Sequence, residues 1–72
     1  MTTSLTNEEK LAIAAQHKRN LEYSLYNLEL SLITENAVTS PKTEVVSSLN
    51  SQISELSKQI AAIDNEIAGL AE

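Results

Sequence analysis

The 72-residue chain contains no cysteine, which excludes disulfides and thiolate metal sites and leaves the redox compartment undefined. Phenylalanine and tryptophan are absent, and there is a single glycine, Gly69. A Gly-rich phosphate loop or a nucleophile elbow needs several glycines close together, so neither can be built. The single proline, Pro41, leaves a long stretch free of helix breakers on each side. No apolar run approaches the roughly 18 residues that a membrane span requires. The opening MTTSLTNEEKLAIAA has no basic start and carries Glu8 and Glu9 ahead of a short apolar run. It does not read as a signal peptide, and a cytoplasmic location is expected. Basic residues are scarce too: five Lys and Arg against ten Asp and Glu give a net charge of −5. That balance discourages non-specific contact with nucleic acid or anionic lipid.

A chain of this length is one domain at most, and below roughly 70–80 residues a single core rarely supplies more than about 3–5 kcal/mol. With disulfides and thiolate metals gone, self-association is the remaining supplement.

What the chain does have is helical periodicity. Thr6 followed three residues on by Glu9 is a capping-box spacing, and Glu8 and Glu9 suit the positive end of a helix dipole. A first helix is therefore predicted over 7–36, after a disordered segment 1–6. The segment around Thr39-Ser40-Pro41 reads as a break, with a turn over 37–40, Ser40 as N-cap and Pro41 at the first position of a helix over 41–70. The stretch LEYSLYNLELSLI (21–33) alternates like a strand at Leu28, Leu30 and Leu32. Its helical stripe Leu21, Leu25, Leu28, Leu32 continues on both sides, and helix is the reading that holds.

In the second helix Val46, Leu49, Ile53, Leu56, Ile60, Ile63, Ile67 and Leu70 are spaced alternately by three and four, a heptad sustained throughout. The first helix carries the same spacing at Leu11, Ala14, Lys18, Leu21, Leu25, Leu28 and Leu32. Folded back on each other, the two stripes match layer by layer, from Leu11 with Ile67 to Leu32 with Val46. The facing position numbers total 77 or 78 in every layer, which places the bend near residue 39. This register also brings Lys10 near Glu66 and Glu35 near Lys42. The Ile/Val-at-a, Leu-at-d pattern of the second helix would equally suit a parallel pair of such helices. The match with the first helix favours the hairpin.

The first helix has a second apolar flank: Ala12, Ala15, Tyr23, Tyr26, Leu30, Ile33 and Ala37, separated from the hairpin stripe by Lys18, Glu22 and Glu29. A lone hairpin would leave it in water, where each larger side chain forgoes roughly 1.5–3 kcal/mol. Completion of a homodimer, two hairpins forming a four-helix bundle, accounts for it. Docking of a different protein on Tyr23, Tyr26, Leu30 and Ile33 is the sharper alternative, since aromatic residues are favoured anchors.

Little chemistry competes with that reading. His17-Lys18-Arg19 is the only basic cluster, and an RNA-binding hairpin dimer using it is the alternative function. Net acidity and the lack of other basic residues on the same face count against it. His17 has Ala14, not Glu, three residues before it, and no second His exists, so no metal is expected. With no general base beside an orienting partner and no concave pocket expected in a hairpin, no catalytic residue, cofactor or enzyme activity is predicted.

The segments LAIAAQHKRNLEYSLYNLELSLITENA and LNSQISELSKQIAAIDNEIAGLAE together resemble the small helical-hairpin proteins of tailed phages of marine cyanobacteria. The resemblance implies action in the cytoplasm of an infected bacterial cell, as an adaptor or inhibitor of a host protein, and transfers no functional residue. In size and shape the chain is also similar to small dimeric hairpin adaptors of cyanobacterial light-harvesting turnover. The sequence thus predicts an all-α antiparallel two-helix coiled-coil hairpin, homodimeric and non-enzymatic, working by protein–protein contact through Tyr23, Tyr26, Leu30 and Ile33.

Overall fold

The structure, a computed structural model, describes residues 4–71. It is an all-α helical hairpin of two elements, α1 (Asn7–Asn36) and α2 (Thr43–Ala71). α1 starts where the capping box puts it. The Glu9 N–H donates to Thr6 Oγ1 at 3.1 Å, and the Thr6 N–H donates to Glu9 Oε1 at 3.0 Å, so two N-terminal donors are satisfied reciprocally. Of the segment expected to be disordered, residues 1–3 lie outside the described residues, and Thr6 is fixed as the N-cap.

The break differs in detail from the expectation. α2 begins at Thr43, two residues after Pro41, and the first carbonyl of its ladder belongs to Lys42, which accepts from the Val46 N–H at 3.0 Å. Lys42 therefore occupies the cap position expected for Ser40. Glu35, in the last turn of α1, accepts the Lys42 N–H at 3.0 Å. A carboxylate from one helix thereby closes the amino end of the other, where the dipole favours negative charge. The six-residue link 37–42 contains no residue with positive φ; Ala37 ends α1 in right-handed geometry, its N–H bonded to Ile33 O and Thr34 O.

The half-covered positions are those of the two heptad stripes, Leu11 to Leu32 on α1 and Val46 to Leu70 on α2, joined only by Lys10, Glu22 and Glu35 at their edges. Ala14 and Ile63, which face each other in the register read from sequence, line one cleft, with Lys10 and Glu66 beside them. No described residue is fully buried. Two rods in contact along one seam leave each seam side chain open at its edges, so a two-helix unit has no interior.

The consequence appears in shape and area. The hairpin measures 54 × 21 × 15 Å with a radius of gyration of 16.5 Å, against roughly 11 Å for a compact domain of this length. Its accessible surface is 5429 Å², against roughly 4,400 Å² from the area–mass scaling of compact monomers. About 1,000 Å² more surface is exposed than a compact fold would leave.

Candidate functional site

Most of the large apolar side chains left exposed lie on α1. Tyr23, Tyr26, Leu30 and Ile33 are 56, 60, 40 and 64 % exposed. At 100° per residue their mean direction lies about 140° around α1 from the stripe that contacts α2. The four side chains therefore form one row on the far side of the hairpin, spaced by three, four and three residues. Two hydroxyls beside the row bond back into the helix: Thr34 Oγ1 donates to Leu30 O at 2.9 Å and Ser31 Oγ to Asn27 O at 3.1 Å. These bonds satisfy the hydroxyls within the helix.

Arg19 closes the amino end of the row. Its guanidinium stands over the Tyr23 ring, 5.1 Å from the centroid, and its Nη1 lies 3.6 Å from Glu22 Oε1. The planar cation covers part of the ring face while staying in water. Lys18, one residue earlier, points to the seam and pairs with Asp64 of α2 at 2.7 Å. The hydrogen bond and charge of Asp64 hold the Lys18 ammonium above its ordinary pKa. His17 turns to the opposite edge of the seam, beside Ile63. Successive residues diverge by about 100° on a helix, so His17, Lys18 and Arg19 offer no common face to a phosphate backbone. The pairs expected at the hairpin ends form only in part. Glu35 reaches Lys42 through its backbone N–H, and Lys10 and Glu66 share a cleft without an ion pair.

Sequence reasoning missed a groove. On the His17 side of the seam an open trough of about 490 Å³ is lined by Ser24, Leu28, Ser51, Gln52, Glu55, Leu56 and Gln59. Part of the signal was available: Ser24 directly flanks the α1 stripe, and a small residue there covers little of the seam. The trough holds one carboxylate, that of Glu55, whose Oε1 lies 3.4 Å from Lys58 Nζ. Also missed were Leu5, Ile13, Val38 and Val45, large apolar residues exposed outside the predicted row.

Among the described residues no three His, Asp or Glu side chains are placed to hold a metal ion. No described helix is long and apolar enough to cross a membrane. No family model matches the chain, and neither a curated protein nor a solved structure matches it.

Proposed function

We propose that this protein is a non-enzymatic protein–protein interaction module whose docking surface is the outer row of α1, Tyr23, Tyr26, Leu30 and Ile33, and which works as a homodimer. The observation that carries this reading is the row itself: four large apolar side chains, exposed together on the helix face turned away from its only intramolecular partner. Monomeric proteins seldom leave such a patch contiguous without a use for it. The row's mix of tyrosine and long aliphatic residues is that of an interface anchor. Because the row stands about 140° from the seam, the two α1 copies lie inside the proposed four-helix assembly and the two α2 copies outside. Action as an adaptor or inhibitor of a host protein in a phage-infected cell follows from the resemblance to phage hairpin proteins.

The test is the double variant Tyr26→Glu, Ile33→Glu, followed by sedimentation velocity. It is expected to sediment as a monomer while keeping its helical circular dichroism. A variant that still sediments as the parent oligomer would overturn the assignment of this face.

A further inference from the structure

The row has a symmetry that specifies its occupant. We infer that the surface docking on α1 is a second copy of α1, running antiparallel, with the two-fold axis passing at the level of Leu28. This rests on the interaction reading above and adds the partner and the register.

Three observations lead there. The first is area: each hairpin exposes about 1,000 Å² beyond the compact expectation, and a stable dimer covers about 800 Å² per partner. One isologous contact of that size absorbs most of the excess.

The second is spacing. In an antiparallel pair the facing position numbers have a constant total, and a two-fold contact must map the patch onto itself. Tyr23 with Ile33 and Tyr26 with Leu30 both total 56, so all four anchors find an apolar partner. Sliding the partner by one heptad toward the amino end puts Leu30 against Arg19 and Ile33 against Gln16, polar groups both times. Sliding it the other way carries Tyr23 to the level of Ser40, beyond the end of α1. A parallel pairing would oppose Arg19 to Arg19 and Glu22 to Glu22, and like charges facing each other disfavour it.

The third is the carbonyl end of α1. Its last turn carries no basic residue of its own to face the negative end of its dipole. In the register through Leu28, Arg19 of one copy lies at the level of Ala37, the C-cap of the other. The guanidinium that begins the row thus meets the carbonyls that end it. The unfavourable feature is Glu29, which comes beside its own copy at the exposed edge, where water screens the repulsion.

Asn20 and Asn36 test the register, because both are exposed, lie off the row, and stand equally far from position 28. The chain has no cysteine, so Asn20→Cys and Asn36→Cys, each labelled with a nitroxide, report a single distance by pulsed dipolar spectroscopy. The expected result is two similar separations, each about 24 Å along the helix axis at 1.5 Å per residue. A short Asn20 distance with a long Asn36 distance, about 14 and 35 Å along the axis, would overturn the register. Two short distances near the spacing of adjacent helix axes, about 10 Å, would overturn the antiparallel sense. Sedimentation of the same labelled samples separates the two failures: a dimer with the wrong distances sinks this inference alone, and a monomer sinks the interaction reading beneath it.

Discussion

Ile33→Ala is the most economical perturbation of the outer row, and its size follows from the structure. Ile33 keeps 64 % of its surface in water within the hairpin. Covering an isoleucine side chain completely contributes roughly 1.5–3 kcal/mol, so covering the part still exposed contributes about 1–2 kcal/mol. A two-fold dimer contains the residue twice, which makes the stake about 2–4 kcal/mol. Alanine retains one methyl, so the lower end applies, and at 1.4 kcal/mol per decade the dissociation constant rises about 30-fold. Sedimentation equilibrium over a dilution series measures it directly. The melting temperature of the parent should also rise with concentration, and that of Ile33→Ala should do so only at higher concentration. Two controls keep the reasoning exposed. Far-ultraviolet circular dichroism must show that helix content is retained. Ser54→Glu, on the outward side of α2, must leave assembly unchanged. A dissociation constant within threefold of the parent, or an equal loss from Ser54→Glu, would refute the assignment of the dimer to this row.

Other consequences concern the hairpin itself. Thr6→Ala removes the acceptor of the Glu9 N–H and should fray the first turn of α1; loss of an N-cap typically costs about 0.5–2 kcal/mol, and faster amide exchange over residues 7–10 is the readout. The backbone N–H of Thr6, and secondarily its hydroxyl, holds the Glu9 carboxyl below the usual carboxylate range. A lowered carboxyl stabilises the folded chain above the ordinary carboxylate pKa and loses that contribution as pH falls through the lowered value. Acid titration should therefore loosen the start of α1, and Glu9→Gln should flatten that response. Lys18→Leu completes an otherwise apolar stripe at the loss of a half-exposed ion pair with Asp64, which contributes little in water. A melting temperature raised by a few degrees is expected, and a lowered one would show that the pair outweighs the seam.

Much of the fold is legible in the chain because a hairpin is a one-dimensional problem. Once two stripes of matched spacing exist, the register from Leu11–Ile67 to Leu32–Val46 is determined by counting, and no distant segment competes. The N-terminus of α1 is legible for the same reason, since Thr6 and Glu9 satisfy each other within one turn. The start of α2 is not, because its cap comes from elsewhere. Glu35 accepts the Lys42 N–H across the bend, and nothing local to Ser40 or Pro41 announces a contribution from the preceding helix. The Lys18–Asp64 pair and the trough beside Ser24 depend on which edge of the seam each helix presents. Spacing along one helix constrains that only when both helices are rotated together.

The two helices differ in a way that limits assembly. α2 could pair in parallel with its like, but the six-residue link holds α1 beside it at an effective concentration of order millimolar, and the hairpin covers that stripe first. Outside the seam the described part of α2 exposes one large apolar residue, Val45, and its outward positions Ser47, Ser54, Lys58 and Asn65 are polar and exposed. α1 has the opposite character, with a second apolar row nearly behind the first. An isologous contact through that row uses it completely, and the outward layers of the resulting particle are the polar faces of α2. Growth beyond two copies would require a further apolar row on α2, and its outer positions do not supply one. On the proposed reading the assembly would close as a dimer, because an open filament needs a heterologous contact between two different faces, and the proposed contact uses the same row on both copies.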